Sequence, residues 1–455
     1  MPSQNRLYAA EVRPIHCLIY HLHMSAPPTQ SLVLTFEDAR RAVEQHASQV
    51  LRRATEELPL LHASHRVLAE RITADRDIPP FARSTRDGYA VRAADLANLP
   101  CKLKVIGEIK AGPGQTPSVL NPGETFAIMT GAPVPPGANA VVMVEYTLQQ
   151  RNSVEITKSV APEENIVPQG AEAKRGSLLL DRGTRLEESG IALAASVGKS
   201  RLKVFARPRV AILTTGDEIV EVDTEPGPEQ IRNSNTYSLA VQIEEAGGES
   251  VLLPIAPDEP RPLRQLIEEG LQSDLLIMSG GVSMGRYDLV EQVLSELQAE
   301  FFFTGAKIQP GRPVVFGRVN SDGQVNSSVS GRPAPSGAST PPVKKYFFGL
   351  PGNPVSTMVT FELFARPMLE SLAGMSPRRL KFLHAHLKSE IRVKTGLTRF
   401  LPAILSGEYE NTQVELVPWQ GSGDISARAR ANCYIVVPPD REHILAGEWV
   451  AVMLR

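Results

Sequence analysis

Short apolar runs followed by glycine-rich turns are the main pattern in the middle of the chain. Runs at residues 210–215, 274–279 and 346–350 each lead into such a turn, and a helical pattern follows the last one over residues 357–372. Runs of this length are typical of buried strands in an α/β sheet. Open α/β sheets bind ligands at the carboxyl ends of their strands, so we predict a ligand cleft at these turns.

The turns themselves favour an anionic ligand. Glycines let the backbone approach a ligand closely, and the N–H groups of loops and helix starts attract anions. The chain has no Gly-x-Gly-x-x-Gly, and its Gly-Lys-Ser at residues 198–200 lacks the earlier glycine of a phosphate-binding loop. A P-loop NTPase and a dinucleotide-binding fold are therefore disfavoured.

The flanking segments predict one early helix and much β structure. Thr35 is a good N-cap for an amphipathic helix whose apolar positions recur to Leu51. Residues 105–146 and 382–455 alternate short apolar runs with turns, which indicates a β-rich module and a small C-terminal barrel or sandwich. Residues 320–343 are rich in Ser, Gly and Pro, so we predict a flexible surface insertion between two strands.

Composition excludes several classes of protein. A formal net charge of −2 over 455 residues gives no electrostatic case for a nucleic-acid binder. No apolar run reaches the ~20 residues that a membrane span needs. Cys17, Cys101 and Cys433 are far apart, which is typical of free thiols in a reducing compartment, and we expect a cytoplasmic protein. We expect residues 1–30 to be a disordered leader, with Met24 as an alternative start.

Charged residues near the predicted strand ends suggest a metal ion and an oxoanion. Asp217 and Asp288 follow glycine-rich turns of one sheet, and carboxylates facing phosphate oxygens suit Mg²⁺. A helix cap or a turn residue is the alternative role for Asp217. Lys307 and Arg312 lie on the strand and loop that follow, where cations would balance the charge of an oxoanion.

Two earlier loops carry further candidates. Asp87 and Gly88 form a turn signal that by itself most often marks only a turn. Thr130 lies on a rigid Pro- and Gly-rich loop, which suits a positioned donor to a phosphate or oxoanion. A plain structural loop explains the residues around Thr130 equally well.

An ordered set of motifs is similar to that of one family. The motifs are Asp-Gly-Tyr-Ala at residues 87–90, preceded by Pro79, Phe81 and Ser84, then Met-Thr-Gly-Ala at 129–132, Thr-Gly-Asp-Glu at 215–218, Ser-Gly-Gly-Val-Ser-Met-Gly at 279–285, Gln-Pro-Gly-Arg-Pro at 309–313, Leu-Pro-Gly-Asn-Pro-Val-Ser at 350–356 and Gly-Ser-Gly at 421–423. The set resembles the molybdopterin molybdenumtransferase family, which comprises bacterial MoeA and the E domain of plant and animal homologues such as gephyrin. The resemblance covers about residues 30–455, apart from the insertion.

The resemblance implies a multidomain α/β plus β fold. The expected parts are a discontinuous helical N-terminal domain at residues 31–74 and 165–203, an inserted β-rich domain at 75–164, a central three-layer α/β molybdopterin-binding domain at 204–376 and a C-terminal small β-barrel domain at 377–455.

The family's activity implies insertion of molybdate into adenylyl-molybdopterin with release of AMP and with Mg²⁺ as cofactor. Asp87, Thr130, Asp217 and Asp288 are then the expected catalytic residues, and the three aspartates are the expected Mg²⁺ ligands. The expected substrate-binding residues are Gly280, Gly281, Ser283, Gly285, Lys307, Arg312, Pro313, Pro351, Gly352, Asn353, Ser356 and Ser426. Family members are homodimers, so Asp87 and Thr130 are expected to complete the site of a second subunit. Molybdopterin adenylyltransferase and molybdoenzymes are further expected partners.

One position departs from the family pattern. Many members have Lys directly before Pro-Gly, where this chain has Gln309, and the second Lys of that motif is Arg312 here. Lys307 lies two positions earlier on the same face of a strand and is a candidate to compensate. Adenylylation of molybdopterin and binding of molybdopterin without turnover remain alternative functions. Molybdate and tungstate are nearly equal in size and charge, so both are candidate oxoanions.

Overall fold

The computed structural model describes residues 32–50, 54–112, 118–281, 289–321, 343–375, 379–408 and 410–454. The expected leader and the candidate residues Ser283, Gly285 and Asp288 lie outside these ranges. Within the described ranges, no helix is both long and apolar enough to cross a membrane.

The N-terminal part of the described chain is mostly β structure. Its elements are β1 (Val33–Leu34), α1 (Phe36–Ala47), β2 (Thr55–Pro59), β3 (Ile72–Thr73), β4 (Arg83–Ser84), β5 (Gly88–Val91), β6 (Cys101–Ile109), β7 (Glu124–Ile128), β8 (Ala140–Met143), β9 (Thr147–Gln150), β10 (Ser153–Ile156), β11 (Ile166–Val167), β12 (Leu178–Leu180), α2 (Glu188–Ser196) and β13 (Arg201–Phe205). A six-stranded sheet in the order β8-β5-β7-β6-β10-β9 forms a β-rich module in the region where the sequence predicted one.

The segments expected to form the helical N-terminal domain contain strands as well as helices. Strand β2 pairs with β13 and β3 with β12 around a small core, to which the described residues contribute one α-helix, α2. Helix α1 instead buries Ala39, Val43 and Ala47 in the core of the central domain. Its start was predicted correctly, since Thr35 Oγ1 accepts the backbone N–H of Asp38 at 3.1 Å. An amphipathic pattern predicts an apolar stripe but not which surface covers it.

The central domain alternates strands and helices. Its elements are β14 (Arg209–Thr214), β15 (Ile219–Val220), β16 (Ile231–Arg232), α3 (Asn235–Glu245), β17 (Glu249–Leu252), α4 (Pro260–Gly270), β18 (Leu275–Ser279), α5 (Leu289–Glu296), β19 (Glu300–Phe303), β20 (Gly305–Ala306), β21 (Ile308–Gln309), β22 (Val315–Ser321), β23 (Val343–Leu350), α6 (Pro354–Thr360) and α7 (Arg366–Leu372), with a π-helical segment at Phe361–Ala365. Strands β22 and β23 are antiparallel neighbours, so the predicted insertion connects two adjacent strands, and its residues 322–342 lie outside the described ranges.

The central sheet lies between two layers of helices. Its order is β17-β14-β18-β23-β22-β19, and β17, β14, β18 and β23 are parallel. Ile212, Ile277 and Phe348 face the layer of α1, α3, α6 and α7. Leu213 and Met278 face the layer of α4 and α5. Because the parallel strands all end at one edge, the turns that follow them are brought together there.

The C-terminal domain is a small closed barrel. Its elements are β24 (Phe382–Leu387), β25 (Ile391–Arg392), β26 (Thr398–Ser406), β27 (Gln413–Leu416), α8 (Ile425–Arg430), β28 (Cys433–Val437), β29 (His443–Ile444) and β30 (Trp449–Leu454). Strand β28 pairs with both β30 and β26, which closes the ring β26-β27-β24-β30-β28 and confirms the predicted barrel. Strand β21 of the central domain pairs in parallel with β26 and joins the two domains.

Candidate functional site

A cleft of about 410 Å³ lies at the carboxyl ends of the central parallel strands. It is lined by Thr214, Thr215, Gly216, Glu218, Ile219, Ile231, Arg232, Asn233, Ser234, Asn235, Asp258, Ser279, Gly280, Gly281, Pro313, Pro351, Gly352, Asn353 and Pro354. The residues of this lining that the sequence predicted as substrate-binding are Gly280, Gly281, Pro313, Pro351, Gly352 and Asn353.

The turn after β18 requires glycine at two successive positions. Gly280 and Gly281 have φ angles of +91° and +65°, in the left-handed region that favours glycine. A Cβ on Gly280 would lie 2.6 Å from the carbonyl oxygen of Thr215, and one on Gly281 would lie 2.7 Å from Thr215 Oγ1. The turn after β18 therefore lies directly against Thr215, which follows β14.

Asn235, the first residue of α3, braces two of the turns. Its Nδ2 donates to Ser279 Oγ at 2.8 Å and to the carbonyl oxygen of Gly352 at 2.7 Å. Since a carbonyl oxygen only accepts hydrogen bonds, the side-chain atom of Asn235 that faces Gly352 must be the amide nitrogen. Thr357 supports the same loop, because its hydroxyl donates to the carbonyl oxygen of Pro351 at 2.5 Å. Helix α3, the end of β18 and the loop before α6 are thus held in one arrangement.

Carboxyl groups gather at one side of the cleft. Glu218 and Asp258 line it, and the backbone N–H of Asp258 donates to Asp217 Oδ1 at 3.0 Å. Burial raises the pKa of Asp258, and the charges of Asp217 and Glu218 raise it further. A bound cation would relieve this repulsion, and oxygen atoms are the ligands that Mg²⁺ prefers.

These carboxylates fit Mg²⁺ as a partner of a bound phosphate. Within the described ranges, no group of at least three His, Cys, Asp or Glu side chains is placed to hold a metal ion. Mg²⁺ usually keeps several waters and binds through one or two carboxylates plus substrate phosphates. Asp288, another expected ligand, lies outside the described residues.

Asp87 and Thr130 lie together in the β-rich module. The backbone N–H and the hydroxyl of Thr130 donate to Asp87 Oδ1 at 2.6 and 2.9 Å. These hydrogen bonds, the backbone one most of all, lower the pKa of Asp87 and favour its ionised form. Neither residue is among those that line the cleft. The structure therefore brings this predicted pair together without adding it to the cleft lining of the same chain.

Family models match the chain in three consecutive segments. A model described as MoeA N-terminal region (domain I and II) matches residues 34–198, one described as probable molybdopterin binding domain matches residues 211–371, and one described as MoeA C-terminal region (domain IV) matches residues 384–454. A molybdopterin molybdenumtransferase from Nostoc sp. is 35% identical over 409 residues, which cover 88% of this chain and 88% of that protein. The chain belongs to the molybdopterin molybdenumtransferase family.

Further comparisons agree with this membership. A molybdopterin molybdenumtransferase from Bacillus subtilis is 32% identical over 410 residues, covering 88% of this chain and 90% of the other. The solved structure of a molybdopterin biosynthesis MoeA protein from Pyrococcus horikoshii OT3 matches with a TM-score of 0.71 and 27% identity. The match covers 93% of this chain and 100% of that protein. The family therefore accounts for both the multidomain fold and the small barrel.

The family's Pro-Gly turn lies between β21 and β22. Lys307 is exposed just before β21, and Arg312 is exposed just after the turn. The next residue, Pro313, lines the cleft. Gly311 packs against Thr360 of α6, the helix that also carries the buried Ser356. The structure thus places Arg312 next to the cleft and Ser356 on the helix beneath the turn.

The family's Gly-Ser-Gly loop in the barrel reaches the same helix. The backbone N–H of Val355 donates to the carbonyl oxygen of Ser422 at 3.0 Å. Asp424 caps α8 by accepting the backbone N–H of Ala427 at 2.9 Å, and Ser426 Oγ donates to the same carboxylate at 2.8 Å. The exposed Ser426 therefore lies in the first turn of α8, shortly after a loop whose Ser422 is hydrogen-bonded to the start of α6.

Some residues of the cleft were missed by sequence reasoning. Glu218 lies in one of the sequence motifs but had no predicted role, and Asn235 lies outside all of those motifs. Asp258 follows β17 without a glycine-rich turn, so the pattern that identified Asp217 did not apply to it. The sequence feature that could have identified Asp258 is its position shortly before Pro260, the first residue of α4.

Proposed function

We propose that this chain inserts molybdate into adenylyl-molybdopterin, with release of AMP, in the cleft at the strand ends. The chain is a transferase of molybdenum cofactor biosynthesis, the activity for which its relatives are named. The observation that supports the placement is the lining of the cleft, which comes from the motif turns around Thr215, Gly280 and Pro351.

The proposed binding mode follows from the lining. The turns at Gly280 and Gly352 offer backbone to the anionic part of the substrate, and Asn235 keeps them at a fixed separation. Asp217 and Asp288, with Asp87, are the proposed Mg²⁺ ligands, and Asp258 adds negative charge beside Asp217. When bound, Mg²⁺ polarises the pyrophosphate bond that is broken when AMP leaves.

The oxoanion is proposed to bind beside α6. Arg312 offers a planar guanidinium, and Ser356 of α6 and Ser426 of α8 are the proposed hydroxyl contributors. Preorganised donors of this kind stabilise developing charge without reorganising during the reaction. The sulfur atoms that capture molybdenum belong to the substrate, so the mechanism needs no cysteine of the protein.

A homodimer with shared sites is part of the proposal. Asp87 and Thr130 form a preorganised pair outside the cleft lining of their own chain. Met129, which precedes Thr130, and Val144, whose N–H donates to the carbonyl oxygen of Asp87, are 40% and 51% exposed. Exposed apolar side chains around a polar pair support burial against a second copy of the chain.

Mixed dimers test the shared site. Asp87→Ala and Asp217→Ala should each be inactive alone, while a dimer with one subunit of each kind keeps one intact site. We expect purified mixed dimers to recover about half of the wild-type rate, since one of two sites is complete. Inactive mixed dimers would contradict the shared site.

AMP release from adenylyl-molybdopterin tests the reaction itself. We expect release by the purified protein only when molybdate and Mg²⁺ are both present. Tight binding of the substrate without release would instead favour a carrier role, which the neutral Gln309 in the family motif makes the second candidate function. Tungstate in place of molybdate gives the oxoanion preference in the same assay.

The cellular setting is proposed on chemical grounds. Cys101 and Cys433 are free thiols, which is typical of a reducing compartment such as the cytoplasm. Molybdopterin adenylyltransferase, as the source of the substrate, and molybdoenzymes, as acceptors of the product, are the proposed partners.

A further inference from the structure

One wall of the cleft is apolar. Ile219 on β15 and Ile231 on β16 both line the cleft, and they are register partners in a two-stranded parallel sheet. Register partners on neighbouring strands have their side chains on the same face of the sheet, and the next residue along each strand points to the other face. That next residue on β15, Val220, is not among the residues that line the cleft. The face that carries the two isoleucines, here called the isoleucine wall, is therefore the face turned toward the cleft.

Backbone hydrogen bonds hold the isoleucine wall in place. The N–H of Ile219 donates to the carbonyl oxygen of Gly216 at 3.1 Å, and the N–H of Ile231 donates to that of Glu218 at 2.8 Å. Both bonds tie the wall to the turn that follows β14, which also lines the cleft. Because the backbone is already ordered, a ligand that packs on these side chains loses little free energy to ordering the protein.

The isoleucine wall differs in chemistry from the rest of the cleft. Ile231 is 58% exposed, and Ile219 beside it is half-buried. The remaining lining includes Gly and Pro turns and the carboxyl groups of Glu218 and Asp258, which suit a pyrophosphate group with Mg²⁺. Exposed apolar side chains gain nothing from such charged groups. They gain from covering the flat face of a planar heterocycle, because that contact removes apolar surface from water.

We propose that the isoleucine wall binds a planar heterocyclic ring of the substrate. This inference rests on the proposed function, in which the substrate carries an adenine ring and a pterin ring on opposite sides of its pyrophosphate group. Ile219 directly follows Glu218 in the chain, so the wall adjoins the carboxylate side of the cleft, where the proposed Mg²⁺ meets the pyrophosphate. Both rings present a flat face of the kind that the wall fits, and AMP and molybdopterin carry them separately.

Isothermal titration calorimetry of the full-length protein with AMP and, separately, with molybdopterin tests the inference. We expect Ile231→Ala to weaken binding of one of the two ligands roughly five- to thirtyfold, as for the loss of about two buried methylene groups. The heat-capacity change on binding should also become less negative, because less apolar surface is buried. Ile231→Val keeps a branched apolar side chain and should retain most of the affinity. Ile404→Ala is the matched control, since Ile404 is 42% exposed on β26 and does not line the cleft, and we expect it to leave both affinities unchanged.

The affected ligand identifies the ring. Weaker binding of AMP by Ile231→Ala assigns the wall to adenine, and weaker binding of molybdopterin assigns it to the pterin. Unchanged affinity for both ligands, or weaker binding with an unchanged heat-capacity change, would overturn the inference. Molybdate-dependent AMP release by the wild type is measured in parallel. Its absence would contradict the proposed function, whereas normal release with both affinities of Ile231→Ala unchanged would contradict only this inference.

Discussion

Asn235 is the side chain on which we expect the shape of the cleft to depend most. It is 8% exposed, and its Nδ2 bridges Ser279 Oγ and the carbonyl oxygen of Gly352. Asn235→Ala removes both hydrogen bonds and leaves buried acceptors unpaired. At about 1–2 kcal/mol for each of the two acceptors that lose their partner inside the protein, we expect the free energy of unfolding to fall by about 2–4 kcal/mol. At 2–4 °C per kcal/mol for domains of this size, the melting temperature of the central domain should fall by roughly 4–16 °C.

Calorimetry of the full-length protein measures this fall, and hydrogen exchange locates it. The backbone N–H groups of Val355 and Thr357 donate to Ser422 and Asn353 at the start of α6, so we expect both to exchange faster in Asn235→Ala. Ser279→Ala removes only one partner and should cost about 1 kcal/mol. A melting temperature within 1 °C of the wild type, with unchanged exchange at both amides, would refute the assigned bracing role.

Other predictions follow from the strand turns and from buried titratable groups. Gly280→Ala should weaken AMP binding in calorimetry, because a left-handed Ala costs about 1–2 kcal/mol and its Cβ would lie 2.6 Å from the Thr215 carbonyl oxygen. Gly190→Ala in α2 is the control, since Gly190 does not line the cleft and its Cβ would meet the Leu186 side chain at an ordinary 3.4 Å. Burial lowers the pKa of His46 below its ordinary 6.5, Arg318 and Lys344 lower it further, and Glu300 opposes them. The contribution of His46 to stability should therefore be complete above pH ~6.5 and be lost as the pH falls through the folded-state pKa. In urea unfolding at several pH values, the free energy of unfolding of His46→Gln should depend less on pH than that of the wild type. Burial raises the pKa of the Cys433 thiol to about 11. Iodoacetamide at pH ~8 should therefore alkylate Cys433 only after the protein unfolds, which mass spectrometry measures. Alkylation of Cys433 in the folded protein would contradict this.

The parts of the fold set by local pattern could be predicted from the sequence. The runs before Gly216, Gly280 and Pro351 are the strands β14, β18 and β23, and their turns meet at one cleft because the strands are parallel neighbours. Period and turn chemistry determine such features within a few residues of chain. The β character of the C-terminal segment followed from its alternating pattern, and closure into a barrel agreed with the family resemblance.

Features set by distant contacts could not be predicted in the same way. Helix α1 packs on the central sheet, although nothing in its own residues distinguishes that surface from one in the N-terminal region. Asp258 reaches the carboxylate side of the cleft because β17 lies beside β14, a pairing between strands that are separated by α3. The bridge from Asn235 to Gly352 spans 117 positions. Each depends on the order of strands in the sheet, which hydrophobic periodicity does not encode.

The packing of α1 also explains how the N-terminal segment supports the site. The helix that carries Ser356 continues into the π-helical segment Phe361–Ala365, where the usual pattern of bonds between residues four apart is interrupted. Arg40 of α1 donates to the carbonyl oxygen of Leu363 at 2.6 Å, and Gln242 of α3 donates to that of Met358 at 3.1 Å. Side chains from two other helices thus satisfy carbonyl groups near the irregular segment. Because β1 also pairs with Gly305–Ala306, shortly before the turn that carries Arg312, the first described elements stabilise both the helix and the turn beside which we propose that the oxoanion binds.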